Sequence, residues 1–203
     1  LTACGQSKKN VTEPVITRGA YLQQVTPTSI VIRWRTDVPA KSKVTYGKNL
    51  QYGQNIFVTD LTTEHIVQLI GLEPATKYFY TIGSDNILQG DSLNHFLTAP
   101  AHGDFVPTRV WVTGDFGVGN QTQKDVRDAY KNYSSQTTNL WIWLGDNAYA
   151  SGTDQEYQNY VFDMYPEQLK KYPLYPTPGN HDYGNVGYQS TSSLTTNFSY
   201  YSI

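Results

Sequence analysis

The sequence predicts an all-β sandwich followed by the first part of an α/β domain, and three observations carry that reading. Up to about residue 99, short segments alternate apolar and polar residues at regular intervals, with turn residues between them. From Arg109 onward the apolar runs become continuous, as in parallel strands covered on both faces, and stretches of helical spacing separate them. Each of these runs opens into a loop that begins with glycine and carries oxygen-bearing side chains.

Along the chain, residues 29–35 place Ile30, Ile32 and Trp34 on one face of a strand, and further short strands are expected at 43–46, 64–69, 77–82 and 93–98. Such spacing implies a β-sandwich. The segment Leu72-Glu-Pro74-Ala-Thr76-Lys-Tyr78 resembles the Leu-x-Pro-x-Thr-x-Tyr corner of fibronectin type III and immunoglobulin-like modules, which implies that the Tyr78 hydroxyl bonds back to nearby backbone. The fibronectin III-like sandwich is assigned to residues 15–99. Residues 100–107, bounded by Pro100 and Pro107, read as a linker. Residues 108–203 then form the start of the α/β domain.

Within that domain, 109–113 and 139–144 should be central parallel strands. The run 174–178 contains Pro176 and Pro178, which remove ladder donors and push it toward an edge or a strand end. A helix over 121–133 would bury Val126, Ala129 and Tyr130, with Asn120 or Thr122 as N-cap; a second over 154–171 would bury Tyr157, Tyr160, Val161 and Met164. Right-handed crossovers would gather the three post-strand loops at one edge of the sheet, where open α/β sheets bind ligands.

Those loops read Gly114-Asp115-Phe116-Gly117, Gly145-Asp146-Asn147-Ala148-Tyr149 and Gly179-Asn180-His181-Asp182. The carboxylates of Asp115 and Asp146, the Asn180 amide oxygen and the Tyr149 phenol make a hard donor set, suited to iron(III), manganese or zinc rather than copper(I). A bridging Asp would hold two cations about 3.5–4 Å apart. His181 would then face the substrate as a proton donor or charge stabiliser. Each residue taken singly has an ordinary alternative: Asp115 as a helix cap, Tyr149 as one packed ring among 17 tyrosines, His181 as a hydrogen-bonded structural residue. Their joint order favours the metal centre. His65, His95 and His102 have no partner at ligand spacing and read as structural or surface residues.

The three motifs resemble those of the calcineurin-like metallophosphoesterases. Where that superfamily has Asp-x-His, this chain has Asp115-Phe-Gly117, and it supplies Tyr149 in Gly145-Asp146-Asn-Ala-Tyr149. That paired exchange resembles the purple acid phosphatases, in which a tyrosinate replaces the histidine and colours the iron(III) site. The resemblance implies that Asp115 and Tyr149 serve the iron(III) site, Asp146 bridges, Asn180 serves a divalent ion (zinc, manganese or iron), and His181 faces the substrate. It further implies hydrolysis of phosphate monoesters by metal-activated water without a phospho-enzyme. The alternatives are a phosphodiesterase of the same superfamily, or a surface binding or spacer protein with a degenerate hydrolase domain. Bacterial and plant members often carry such a sandwich ahead of the enzyme domain. The family's three later histidines, in Val-x-x-His and Gly-His-x-His, do not follow His181, so the chain is expected to be an amino-terminal piece that alone lacks full metal affinity and activity.

Composition agrees with these expectations without naming a function. The 203 residues, 38% of them hydrophobic, suffice for one sandwich and part of a second domain. A net charge of −2 and the lack of a basic stripe argue against nucleic acid as a partner; a phosphate ester is the partner that the resemblance implies. No apolar run is long enough to cross a bilayer. Asn-x-Ser/Thr sites at Asn10, Asn120, Asn132 and Asn197 would matter only in a eukaryotic secretory setting. Leu1-Thr2-Ala3-Cys4-Gly5 resembles a bacterial lipobox with the chain's single cysteine, which implies an exported envelope lipoprotein, or a periplasmic or secreted protein. Membrane contact would then run through lipid on Cys4, with residues 5–12 as tether.

Overall fold

The computed structural model describes residues 13–85, 88–133 and 137–184. The expectations attached to Cys4, the tether, Asn10, Asn197 and the last residues fall outside them. The first half contains β1 (Ile16–Gln23), β2 (Ser29–Gly47), β3 (Gln54–Ile70), β4 (Lys77–Gly83), β5 (Leu88–Gln89) and β6 (His95–Leu97). The second contains β7 (Val110–Thr113), α1 (Gln121–Tyr133), β8 (Leu140–Trp143), α2 (Asp154–Tyr157), a π-helical segment (Gln158–Phe162), α3 (Pro166–Leu169), β9 (Leu174–Pro176) and a 3₁₀ turn (His181–Tyr183).

The sandwich is organised by β2, which pairs antiparallel with β1 through its first half, with β4 through its second half, and with β3 along both. The β2–β3 register shifts between Arg35 and Ser42, so one long strand serves both ends of the module. Ile30, Ile32 and Trp34 enter the core as their alternation requires, with Val44, Leu69, Tyr80 and Phe96. The Tyr78 hydroxyl accepts a hydrogen bond from the Glu73 amide at 3.0 Å, the expected corner. The expected short strands at 43–46 and 64–69 are parts of longer ones, and β1 was not expected at all, because Arg18 and Gly19 break its apolar pattern.

His65 is a core residue of this module. Its ring is 1% exposed, stacks on Trp34 at 4.7 Å, and is held by Thr36 Oγ1 and Ser42 Oγ, each at 2.8 Å. Burial pushes its pKa down to about 4. The folded state therefore binds fewer protons than the unfolded one between about pH 6.5 and pH 4. The stability contributed by neutral His65 is present above pH 6.5 and lost as pH falls through that window. Urea unfolding at pH 4.5 should show roughly 2–3 kcal/mol lost through this residue relative to pH 7. His65→Gln should be less stable at pH 7 yet less sensitive to acid; an unchanged pH slope in the variant would exclude this role.

The sandwich and the second half share one sheet, ordered β5-β4-β2-β1-β9-β8-β7, with β3 on β2 and β6 on β4. Strands β7, β8 and β9 run parallel, as expected, but among the described residues β7 ends the sheet instead of lying centrally. However, β9 is not an edge strand, because it lies between β8 and β1. Its prolines are tolerated for a local reason. The Pro173 carbonyl and the Thr177 amide bond to β8, which turns the nitrogen of Pro176 toward the β1 side. On that side, among the described residues, the one bridge is Gln23 to Leu174, and Pro176 faces no acceptor across it.

The second core is aromatic. Trp111 stacks between Tyr130 and Trp141, each at 4.2 Å, while Phe116, Trp143 and Tyr165 close around them. Tyr21 of β1 joins this core through Phe162 at 5.1 Å, so the sandwich is packed against the α/β half rather than spaced from it by residues 100–107. The expectation of strands covered on both faces is corrected among the described residues. The indoles of β7 and β8 face the helices, whereas Val110 and Val112 on the opposite face are exposed.

Both helix readings need correction. Asn120 does cap α1, its Oδ1 accepting from the Gln123 amide at 2.9 Å, but Val126 and Ala129 are exposed. The inward face is Gln123, Arg127 and Tyr130. Gln123 accepts from the Gly119 amide and donates to the Tyr160 carbonyl, and Arg127 donates to the Met164 carbonyl. The expected helix over 154–171 is interrupted: α2 runs directly into the π-helical segment, and Pro166 drives Tyr165 out of helical geometry before α3. Tyr157 and Val161 are buried, whereas Tyr160 and Met164 are only partly so.

Candidate metal centre

The loops that follow β7, β8 and β9 meet at the carboxyl ends of those strands. Asp115 and Asp146, each directly after the glycine of its loop, share an uncommon backbone conformation, with φ of 53° and 50° in the left-handed region. The Asp115 amide donates to the Gly145 carbonyl at 3.1 Å and the Tyr149 amide to the Gly117 carbonyl at 2.8 Å, which laces the first loop to the second. The third is drawn in by Gly179: a Cβ there would lie 2.2 Å from Asp146 Oδ1, so only glycine permits the approach.

This packing brings four of the five expected site residues together. The Tyr149 hydroxyl donates to Asp115 Oδ1 at 2.9 Å and lies 3.4 Å from Asp146 Oδ2. Asp146 Oδ1 accepts the His181 amide at 2.9 Å, which leaves Oδ2 turned toward the phenol. The His181 ring lies 4.4 Å from the Tyr149 ring, with Nδ1 2.7 Å from the Ala150 carbonyl. Asn180 is exposed on the same loop, one residue beyond Gly179. Among the described residues no hydrogen bond joins its side chain to the other four. His95 and His102 lie apart from this centre, the first bonded through Nδ1 to the Ser92 carbonyl and the second exposed in a turn.

Charge in this cluster is one-sided. Among the described residues neither Asp115 nor Asp146 has an ion-pair partner. Burial first, then the hydrogen bond to Asp115 and the charge of Asp146, hold the Tyr149 proton on well above the usual phenol range. A cation among these oxygens would reverse that balance, so two carboxylates and a phenol without a counter-charge fit a hard metal ion. No group of three His, Cys, Asp or Glu side chains converges among the described residues, so a metal here would need further donors such as the Tyr149 phenol.

The supporting residue that sequence reasoning missed is Asp182. Its buried carboxylate accepts from the Asn147 amide and Nδ2, each at 3.1 Å, from the Gly179 amide at 2.8 Å and from the Tyr157 hydroxyl at 2.6 Å. It therefore ties the second loop, the third loop and α2 to one point. Its place beside His181 was the only signal in the sequence.

Both parts of the chain match known families. Residues 108–202 match the calcineurin-like phosphoesterase family, and residues 19–96 match the purple acid phosphatase N-terminal domain. Purple acid phosphatase 15 of Arabidopsis thaliana is 28% identical over 141 residues, covering 66% of this chain but 26% of that protein. The chain thus spans about a quarter of the length of this curated relative. Among solved structures, PhoD superposes with a TM-score of 0.63 at 18% identity, over 86% of this chain and 40% of that one. The purple acid phosphatase PPD1 from yellow lupin (Lupinus luteus) seeds gives 0.62 at 18% identity, over 82% and 36%. At these identities the superpositions establish the fold.

Proposed function

We propose that this chain, which carries a calcineurin-like phosphoesterase domain behind a purple acid phosphatase N-terminal domain, is part of a metal-dependent phosphoric ester hydrolase of acid phosphatase type. The observation that carries the reading is the convergence of Asp115, Asp146 and Tyr149 on one point without a counter-charge. Asp115 and Tyr149 would hold iron(III), Asp146 would bridge to a divalent zinc, manganese or iron, and Asn180 would complete the divalent side. When bound, such a pair polarises a phosphoryl oxygen and lowers the pKa of water toward neutrality.

The chain's own residues do the rest. The His181 amide anchors one oxygen of Asp146, which orients the other into the site. With Nδ1 committed to the Ala150 carbonyl, Nε2 of His181 is the nitrogen left to hold a proton for the departing ester oxygen. Phosphate monoesters are the proposed substrates, and export as an envelope lipoprotein through Cys4 accompanies the proposal on sequence grounds.

The test is metal analysis, a visible absorption spectrum and phosphatase assays on the complete protein as its gene encodes it. A tyrosinate-to-iron(III) band that disappears in Tyr149→Phe is the expected result. A colourless enzyme active with zinc or manganese would leave Tyr149 packing rather than ligating, and absence of metal-dependent ester hydrolysis would overturn the proposal.

A further inference from the structure

The sandwich reaches the candidate centre through α2. Arg18 of β1 donates from Nη2 to Asp154 Oδ1 at 3.1 Å, and Arg35 of β2 donates to Asp154 Oδ2 at 2.6 Å and Oδ1 at 3.0 Å. Arg18 also donates from Nε to Gln158 Oε1 at 2.7 Å and lies 4.1 Å over the Phe162 ring. Both arginines therefore fix the first turn of α2 against the module, although Asp154 lies 136 and 119 residues away from them in sequence.

From α2 two sets of bonds lead into the loops. Glu156, two residues beyond Asp154, accepts from the Ala150 amide at 2.6 Å, the Ser151 amide at 3.1 Å and the Thr153 amide at 2.9 Å, which holds the segment just after Tyr149. The Ala150 carbonyl on that segment accepts His181 Nδ1. Tyr157, the next residue, donates to Asp182, which pins the second and third loops. α2 and the π-helical segment form one short helical stretch, Asp154–Phe162, with little stability of its own, so what anchors it sets where it lies.

We infer that Arg18, Arg35 and Asp154 are positioning residues: the amino-terminal sandwich sets the placement of Tyr149 and His181 through an arginine clamp on α2. This deepens the proposed phosphatase reading and rests on it for its effect on turnover. The sandwich is then a working part of the centre rather than a spacer.

The experiment is Asp154→Ala in the complete protein, with Arg35→Ala as a second variant and Asp91→Asn as control. Asp91 meets Lys170 across the same domain junction, at 3.3 Å, without touching α2. The metal-independent readout is amide hydrogen exchange over residues 149–153 in protein stripped of metal. Asp154→Ala and Arg35→Ala should speed that exchange at least about tenfold, as expected when a low-stability segment loses its anchor, and Asp91→Asn should not. In metal-loaded protein both clamp variants should lower kcat by about 10–100-fold, the range seen when outer partners of a metal site are removed, with KM changed far less. Unchanged exchange in both clamp variants, or an equal effect of Asp91→Asn, would overturn the inference. A wild-type protein without metal-dependent hydrolysis would overturn the phosphatase reading instead, with the exchange result still deciding the clamp.

Discussion

Replacing Asp146 by asparagine in the complete, metal-loaded protein is expected to lower phosphate ester turnover by at least about a thousandfold, well beyond the 10–100-fold cost of losing an outer partner of a metal site. The residue has two jobs that one substitution separates. Oδ1 accepts the His181 amide and joins the second and third loops, which an asparagine oxygen can still do. Oδ2 faces the Tyr149 hydroxyl and would serve both cations, which a neutral amide nitrogen cannot. The fold should therefore survive, with thermal unfolding close to wild type, while metal analysis shows at least one ion lost. Asparagine in place of Asp115 should weaken only the site proposed for iron(III). Turnover in Asp146→Asn within tenfold of wild type would mean that Asp146 is not shared between two ions, and the dinuclear reading would fall with it.

That Asp115, Asp146, Tyr149 and His181 lie together was legible in the sequence because their signal is local. A continuous apolar run, a glycine and an oxygen donor sit within a few positions in each of the three loops, and strand-end loops of parallel sheets converge by topology alone. What held them was not legible. Asp182 finds its donors at Asn147, Tyr157 and Gly179, on three different segments. Arg18 breaks the alternation of β1 and reads as a surface residue, yet it is buried because its acceptors come from the far half of the chain. The same distance problem displaced the inward face of α1. Val126 fits the apolar period, but the Gly119 amide and the carbonyls of Tyr160 and Met164 had to be satisfied by Gln123 and Arg127. Only the broken helix after Asp154 had a signal in plain view, since Pro166 excludes its predecessor from helical geometry.

Gly117→Ala is expected to lower turnover about a hundredfold, although it adds one methyl group. A Cβ at Gly117 would lie 1.7 Å from the Asn147 carbonyl oxygen, 2.6 Å from its carbon and 2.9 Å from Ala148 Cα. All three are backbone atoms, so no rotamer relieves the clash. Nor can the second loop step back freely, because the Asn147 amide and side chain are bound to Asp182 and the Tyr149 amide to the Gly117 carbonyl. Reaching an ordinary contact of about 3.5 Å requires the two loops to part by more than about 1 Å. Asp115 would then separate from Tyr149 and Asp146. A misplacement of that size costs about a hundredfold in rate, and the overpacking adds about 1–3 kcal/mol of destabilisation. Metal content, turnover and urea unfolding of the variant would show all three losses together. Gly117→His, which would restore the imidazole of the wider superfamily, should fail in the same way, because its Cβ meets the same carbonyl before the ring can reach a metal. A donor in that position would therefore have to come from the neighbouring loop, where the Tyr149 amide already bonds to the Gly117 carbonyl. Wild-type metal content and turnover in Gly117→Ala would show that the loops can separate without cost and that the glycine does not dictate the phenol.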